Sequence, residues 1–297
     1  MGLCAYFRIS KIYLISMIKD FVVFILSHGR ADNVYTEKTL RKCGYTGKIV
    51  YVIDNEDKTA DRYFEKFEYV EMFDKKAIAQ TFDECDNFDD RRAIIYARNA
   101  CFGIAKKLGY KYFIQLDDDY TYFEYRIYNE EKQKPKNVRD LDSVFLLLLD
   151  FYKKTNFATI SMAQGGDFIG GKNNRMAKKP TLFRKCMNSF FCSTDRPFQF
   201  IGRINEDVNT YVKKQSCGLL MGTIPFVALG QKTTQKNKGG MTDLYLDSGT
   251  YVKSFYTVML SPSSCYIKHM GDKHKRLHHA IKWDCAVPKL ISQNNKK

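Results

Sequence analysis

The chain has 297 residues, of which 44% are hydrophobic and 27% are charged, so it can bury a substantial core and is not an intrinsically disordered protein. Lys and Arg number 48 against 33 Asp and Glu, a formal excess of +15. Such a charge attracts nucleic acids, anionic membrane surfaces or nucleotide phosphates, although a generally basic surface would give the same number.

Cysteine usage and the N-terminus bear on location. The nine cysteines are odd in number and contain no CxxC pair, which argues against a zinc knuckle and against a secreted disulfide framework. Residues 1–20 are apolar but interrupted by Arg8, Lys11 and Lys19, so they are too charged to span a bilayer. We therefore expect an intracellular, soluble protein without a membrane partner. Residues 1–16 are predicted to be a non-essential extension, because Met17 begins a more natural domain start.

The first half of the chain predicts alternating strands and helices. Strands are expected at 21–26, 48–53, 69–73 and 112–116, and helices at 36–43, 59–67 and 91–108. This alternation predicts an α/β fold with a Rossmann-type, mostly parallel central sheet and helices on both faces. Ligands bind such sheets at the carboxyl ends of the strands, where Arg30, Asp54 and residues 117–119 lie.

The second half is more mixed. It predicts helices at 141–152 and 207–214, strands at 157–163, 181–192 and 219–229, and mobile loops at 165–171 and 231–241. We expect a single domain over 17–287, with a nucleotide-binding half at 17–130 and an acceptor-binding half at 131–287. Residues 288–297 are expected to form a flexible tail.

The most informative motif is an acidic run, Asp117, Asp118 and Asp119, directly after a predicted buried strand. Three adjacent carboxylates repel one another, so a cation is expected to compensate them. Oxygen ligands of this kind suit Mg²⁺ or Mn²⁺. Alternate side chains at the end of a strand point to the same face of the sheet. Asp117 and Asp119 are therefore expected on one face and Asp118 on the other. A solvated acidic turn is the alternative interpretation.

Four motifs together carry a resemblance: SHGR at 27–30, ARN at 97–99, LDDD at 116–119 and NEDVNTY at 205–211. They resemble the GT-A fold glycosyltransferases, and most of all the TET/JBP-associated glycosyltransferases, a group linked to hydroxymethylated pyrimidines in phage and eukaryotic DNA. The resemblance implies a GT-A-like fold with a mixed C-terminal acceptor-binding half. It also implies a nucleotide-sugar donor such as a UDP-sugar, and DNA hydroxymethylcytosine or a related base as acceptor. If the chain is phage-encoded, its location is the host cytoplasm.

The resemblance assigns metal and donor residues. Asp117 and Asp119 would hold Mn²⁺ or Mg²⁺ on the donor diphosphate, with His269 as a third ligand, His274 as second choice and a plain basic tail as the alternative. Residues implied to bind the donor are Ser27, Arg30, Asp54, Arg98 and Asp118. For Arg98, a structural ion pair with one of the aspartates is an equal alternative. His278 and His279 are expected on the surface of a basic helix.

Glu206 and Asp207 are adjacent carboxylates at a predicted helix N-terminus, where acidic residues also interact favourably with the helix dipole. The resemblance implies catalytic roles, with Asp207 as general base of an inverting reaction. In a retaining reaction, Asp207 would orient the acceptor or the sugar instead.

Aromatic and basic residues mix at 183–191 and 196–200, as in surfaces that stack bases, although such aromatics also suit a core. The loop at 232–238 is expected to close over the donor or to hold phosphates. Three alternatives remain open: the same chemistry on a protein or glycan, a nucleotidyltransferase, and a non-enzymatic DNA-binding module. The nucleotidyltransferase would show a glycine- and lysine-rich phosphate loop, which SHGRADN does not supply.

Overall fold

The structure, a computed structural model, describes residues 19–86, 89–128, 133–168, 174, 179–232, 241–271, 275–290 and 293. In the first half the elements are β1 (Phe21–Leu26), α1 (Thr36–Lys42), β2 (Ile49–Asp54), α2 (Ala60–Lys66), β3 (Val70–Phe73), α3 (Lys75–Ala79), α4 (Ile95–Lys107), β4 (Tyr112–Asp117), β5 (Tyr120–Tyr128) and β6 (Gln133–Asn137). In the second half they are α5 (Leu141–Lys154), β7 (Phe157–Gln164), a short 3₁₀ helix (Gly165–Phe168), β8 (Phe190–Ser193), α6 (Glu206–Ser216), β9 (Leu220–Gln231), α7 (Met241–Leu260), β10 (Cys265–Met270), β11 (Arg276–Ile281) and α8 (Trp283–Ala286).

Nine strands form one sheet in the order β3-β2-β1-β4-β8-β7-β9-β5-β6. The pairs β3/β2, β2/β1, β1/β4 and β7/β9 are parallel, whereas β8 and β5 run against both of their neighbours. The sheet is therefore mostly parallel, as predicted, and its antiparallel strands lie in the half towards β6.

Helices cover both faces of the sheet, and β1 shows why. Its alternate residues Phe21, Val23 and Ile25 pack in one buried cluster with α5, while the intervening residues pack with α4 on the other face. Phe145 of α5 meets the Phe21 ring at a centroid distance of 6.1 Å. Because both faces of β1 are buried, its sequence is an unbroken apolar run rather than an alternating one. Each such side chain contributes about 1.5–3 kcal/mol of burial free energy.

The predicted strand at 181–192 is wrong for most of its length. Only β8 is a strand, and Thr181 makes an isolated bridge to Thr223. Asn188 has a left-handed φ of 64°, which breaks the extended backbone. The Ser189 hydroxyl accepts the Met162 amide at 2.9 Å, so a side chain replaces a ladder bond there. β-branched and aromatic residues thus gave a strand pattern that tertiary contacts override.

Two further expectations change. The helix predicted at 91–108 begins only at Ile95. His278 and His279 lie on β11, which pairs antiparallel with β10, so the predicted basic helix is wrong. The strand is stabilised by packing on α7, where the Ser254 hydroxyl donates to the Leu277 carbonyl at 2.9 Å. Of the loop predicted at 231–241, residues 233–240 lie outside the described residues. Among the described helices, none combines the length and apolarity needed to cross a membrane.

Candidate active site

The acidic run lies at the carboxyl end of the sheet. Asp117 ends β4 beside Leu26, the last residue of the parallel strand β1. The N-terminus of α1 fixes the turn that follows: the Thr36 hydroxyl donates to the Asp117 carbonyl at 2.5 Å, and the Thr36 amide donates to the Asp118 carbonyl at 3.2 Å. Because backbone atoms are held at both residues, the carboxylates project from a defined turn rather than from a solvated loop.

Asp118 binds the loop after β1. Its Oδ2 accepts the Ser27 hydroxyl at 2.6 Å, and its Oδ1 accepts Arg30 Nη1 at 2.9 Å. Tyr63 completes the network, with its hydroxyl 2.7 Å from Ser27 Oγ and accepting the Arg30 amide at 2.9 Å. Three residues predicted to bind the donor are thus brought together by hydrogen bonds to one another, and their contact with a donor stays a prediction. Asp118 has different partners from Asp117, and the pairing of Asp117 with Asp119 on one side stays a prediction.

Asp54, at the end of β2, is held by two neighbouring side chains. His28 Nδ1 lies 2.7 Å from one carboxylate oxygen and Lys75 Nζ lies 3.3 Å from the other. Burial alone would raise the Asp54 pKa, but the hydrogen bond to His28 and the charge of Lys75 outweigh it and lower that pKa. Asp54 is therefore ionised at neutral pH, and the His28 side chain beside it is half-exposed.

Arg98 connects the acidic run to the second predicted motif. Its guanidinium is buried, with Nη2 2.9 Å from Asp117 Oδ1 and Nε 3.0 Å from Glu206 Oε1. The guanidinium carbon also lies 4.8 Å from the centroid of the Phe190 ring. The ion-pair alternative is what the structure shows, and one side chain bridges carboxylates that are far apart in sequence. Donor contact by Arg98 stays a prediction.

The carboxylates of this cluster resist ionisation. Burial raises the pKa of Asp117 to about 6 against the lowering effect of Arg98, and burial together with the charge of Asp118 raises the pKa of Asp119 to about 6. Burial and the charge of Asp207 raise the pKa of Glu206 to about 7. One guanidinium shared between two carboxylates leaves the group short of positive charge. An added cation would therefore be stabilised here.

Asp119 has a carboxylate oxygen that receives no hydrogen bond. Its Oδ1 is buried and has no hydrogen-bond partner among the described residues. An unsatisfied buried carboxylate oxygen, next to Asp117 and short of positive charge, fits an oxygen-preferring divalent ion. Within the described part of the chain, however, no three His, Cys, Asp or Glu side chains are already arranged around one point. His269 is exposed on β10 rather than following a strand, and its role as a third ligand stays a prediction.

Asp207 occupies the first turn of α6, next to Glu206. Its carboxylate is partly exposed and accepts the Val208 amide at 2.7 Å, whereas Glu206 is buried against Arg98. Asn205 precedes the helix with a left-handed φ of 56°. The two carboxylates therefore differ: Glu206 is buried in an ion pair with Arg98, whereas Asp207 is partly exposed, which suits a general base.

Sequence reasoning missed several residues of this region. Lys75 is buried against Asp54, Tyr63 supports the loop after β1, and Asp57 accepts the Gly29 amide at 2.6 Å. Lysine buried on a short helix leaves no local signal, because only the fold brings it to the strand end. The aromatic and basic mixture at 183–200 is mainly core: Phe190, Phe191, Phe198 and Phe200 are buried, and Phe183 is exposed.

Comparison with known proteins gives one family. Residues 21–240 match the sequence model of the TET-associated glycosyltransferases, which covers most of the chain and includes all four motifs. No curated protein sequence matches it.

Three solved structures are similar in shape. Glucosyl-3-phosphoglycerate synthase from Mycobacterium tuberculosis, solved with Mg²⁺ and uridine diphosphate, shares 8% identity at a TM-score of 0.44, over 88% of this chain and 87% of its own. A mycobacterial protein shares 6% at 0.48, over 90% of this chain and 87% of its own. Residues 1–349 of TarS from S. aureus share 10% at 0.41, over 70% of this chain and 60% of their own.

Proposed function

Because this chain belongs to the TET-associated glycosyltransferase family, and is a glycosyltransferase with a nucleotide-sugar donor and a GT-A-like α/β fold, we propose that it modifies DNA. The acceptor we propose is the hydroxyl of a 5-hydroxymethylpyrimidine. We further propose that transfer requires Mn²⁺ or Mg²⁺.

The observation that carries the proposal is the Arg98 bridge. It joins Asp117, at the donor end of the sheet, to Glu206, which adjoins Asp207. Sugar transfer needs negative charge stabilised at the departing diphosphate and a base at the attacking hydroxyl. A rigid buried guanidinium between the two carboxylates fixes the spacing of these regions. Such preorganisation is what a two-substrate transfer requires.

Asp117 and Asp119 are the residues that would hold the divalent ion. When bound, the ion would act as a Lewis acid that stabilises the charge developing on the leaving diphosphate. The unsatisfied Asp119 Oδ1 and the raised pKa values of both aspartates support this assignment. Arg30 and Ser27, held by Asp118, would contact the nucleotide, and Asp54 with His28 would limit the space for its base.

Asp207 would accept the proton of the acceptor hydroxyl as that hydroxyl attacks the anomeric carbon. Its partial exposure leaves an oxygen accessible, while the backbone contact to Val208 orients the carboxylate. Glu206 would act indirectly, since its carboxylate is committed to Arg98. The formal charge of +15 supports a polyanionic acceptor. The eight cysteines that the structure describes are free thiols, which supports the proposal of an intracellular location.

The decisive experiment is mass analysis of duplex DNA containing 5-hydroxymethylcytosine or 5-hydroxymethyluracil after incubation with a panel of nucleotide sugars. We expect a hexose or pentose mass on DNA with at least one donor, only when Mn²⁺ or Mg²⁺ is present. If no donor adds mass to the DNA, the proposed DNA acceptor is wrong. If turnover is the same in excess chelator, the proposed metal requirement is wrong.

A matched pair of variants tests the site within the same assay. Asp119→Asn should lower transfer by roughly 100-fold or more, on the order expected when charge stabilisation is lost at a leaving group. Asp195→Asn, at an exposed aspartate that forms a surface ion pair with Lys111, should leave transfer within about twofold. Equal activity of the two variants would exclude Asp119 as a ligand.

A further inference from the structure

The turn that carries the acidic run is held by backbone hydrogen bonds from two sides. The Tyr35 amide, directly before α1, donates to the Asp118 carbonyl at 2.9 Å. The Lys232 amide, directly after β9, donates to the Asp119 carbonyl at 3.1 Å. β9 itself is paired with β5, the strand that follows the turn. The backbone of Lys232 is therefore fixed next to Asp119, although the two residues are far apart in the sequence.

The side chains of Tyr35 and Lys232 also meet. Lys232 Nζ lies 3.3 Å from the centroid of the Tyr35 ring, which is a cation–π contact, and both residues are partly buried. The described residues give this ammonium group no ion pair, and its charge is one of those that oppose the rise of the Asp119 pKa. Within the described part of the chain, the lysine is thus held at the acidic turn by a ring and not by a carboxylate.

A ring contact leaves the hydrogen-bonding capacity of an ammonium group unused. Lysine has three N–H donors, and the face of a phenol ring attracts the charge without offering an oxygen or nitrogen acceptor to those donors. Hydrogen bonds from an ammonium group to phosphate oxygens are charge-assisted and stronger than such a contact. A lysine stem is also long and flexible. A phosphate bound at the acidic turn would therefore be within reach of Lys232 and would be a better partner than the ring.

The charge of the site calls for such a cation. The two arginines at the acidic run, Arg98 and Arg30, are already bound to its carboxylates. A divalent ion held by Asp117 and Asp119 would have its charge balanced by those two carboxylates. The diphosphate that leaves with the nucleotide is an anion as well, so a further positive charge would stabilise it. Lys232 supplies a cation at the turn that no described carboxylate engages.

We propose that Lys232 is a donor-binding residue whose ammonium group contacts the β-phosphate of the nucleotide sugar, next to the ion site at Asp117 and Asp119. The inference rests on the proposed function for that ion site and does not depend on the DNA acceptor. The Tyr35 ring holds the ammonium group near the turn before the donor arrives, so less side-chain freedom is lost on binding.

In the reaction, Lys232 acts on the leaving group. As the acceptor oxygen bonds to the anomeric carbon, the bond from that carbon to the β-phosphate oxygen breaks, and its electron pair stays on the diphosphate. The acceptor proton passes to the base, for which we propose Asp207. The ammonium group transfers no proton, and its charge stabilises the negative charge that develops on the diphosphate. Affinity for a free nucleoside diphosphate therefore reports on Lys232 directly.

Calorimetric binding tests the assignment without turnover. The probes, each with Mn²⁺, are the nucleoside diphosphate among UDP, GDP, ADP, CDP and dTDP that the wild-type protein binds most tightly, and the matching monophosphate. Lys232→Gln should weaken diphosphate binding about tenfold, the effect of losing one charge-assisted hydrogen bond. Monophosphate binding should stay within about twofold, because the β-phosphate is missing from that probe. The conservative variant Lys232→Arg should recover most of the diphosphate affinity.

The matched control is Lys38→Gln, at an exposed lysine of α1 three residues after Tyr35. It lowers the net charge by one, as Lys232→Gln does, and should change neither affinity by more than about twofold. An effect of general charge would weaken binding in both variants. Unchanged monophosphate binding, together with an unchanged melting temperature, would show that Lys232→Gln keeps its fold.

Three results would overturn the assignment. They are an unchanged diphosphate affinity in Lys232→Gln, an equal loss of diphosphate and monophosphate affinity, and a loss of the same size in Lys38→Gln. If no nucleoside diphosphate binds the wild-type protein, the contact and the proposed ion site are both wrong. If the diphosphate contact is lost as expected in a protein that glycosylates no DNA, the role of Lys232 stands and only the proposed acceptor is wrong.

Discussion

Arg98 is the residue on which the geometry of the site depends. A planar guanidinium offers donors in fixed directions, so it can bind Asp117 and Glu206 simultaneously, which a lysine ammonium on a flexible stem does less well. Because the cluster is buried, either carboxylate would lower the free energy of unfolding if it stayed ionised without the guanidinium. Stacking against Phe190 further restricts the guanidinium to one position.

Replacing Arg98 should therefore destabilise the fold. Arg98→Met leaves Asp117 and Glu206 buried without a cation, and we expect the free energy of unfolding to fall by about 3–5 kcal/mol in urea denaturation. The double variant Arg98→Met/Glu206→Gln should recover part of that loss, because one buried charge is removed as well. Equal losses in the single and double variants would show that Arg98 and Glu206 are not coupled.

Glu206 should make stability depend on pH. Its pKa is about 7 in the folded chain and near 4.5 when unfolded, so between these values the folded state binds the proton and the unfolded state does not. Its contribution to stability is thus greatest below about pH 4.5 and is lost as pH rises through 7. Relative to Glu206→Gln, the wild-type protein should lose about 1–3 kcal/mol between pH 5 and pH 8. A constant difference in unfolding free energy across that range would contradict the raised pKa.

At the scale of elements, Asn205 joins α6 to α7. Its left-handed backbone turns the chain into α6, and its side-chain amide binds Lys253 and Thr257 on α7. The same residue thus sets the start of the helix that carries Asp207 and the position of the helix that carries Lys253. α7 also packs against β11, so Asn205 connects the start of α6 to the C-terminal elements.

Two substitutions at Asn205 separate these effects. Asn205→Gly loses the side-chain hydrogen bonds but keeps a relaxed left-handed backbone, whereas Asn205→Ala loses the bonds and adds strain of about 1 kcal/mol. Both variants should unfold at lower temperature than the wild type, with alanine the less stable, and both should be cleaved faster by protease in α7. Equal melting temperatures for the two variants would argue against a strained residue 205.

At the scale of the whole molecule, the chain carries an excess of 15 positive charges, whereas the candidate site is rich in carboxylates. The local field at Asp117 and Asp119 favours a cation, while the general field favours an anionic partner. These are compatible if the nucleic acid lies on the basic surface and presents only its hydroxyl to the carboxylates.

Affinity for DNA should accordingly fall steeply with salt. Counterion release gives a slope of about −0.9 per phosphate contacted, so several contacts predict a loss of 100-fold or more between roughly 50 and 300 mM salt. Fluorescence anisotropy with labelled duplex measures this slope. A flat response would favour a protein or glycan acceptor, for which the positive charge is incidental.

Much of the first half of the fold is predictable from local pattern. Unbroken apolar runs such as residues 21–26, followed by amphipathic segments, specify buried parallel strands and covering helices before any contact is known. The strand predicted at 181–192 and the helix predicted at 278–279 failed for one reason. In both places the residues fit two structures locally, and contacts with Met162, Thr223 and α7 chose between them.

The sequence by itself determined that three aspartates follow a buried strand and that Glu206 and Asp207 begin a helix, because strand and helix signals are local. Only the tertiary structure decided which partners they have. It committed Asp118 to Ser27 and Arg30, joined Asp117 to Glu206 through Arg98, and left Asp119 with an unsatisfied oxygen. The physical reason is that a buried charge pairs with whichever group the fold brings within hydrogen-bond distance. The separation of two residues in the sequence does not predict whether they become such partners.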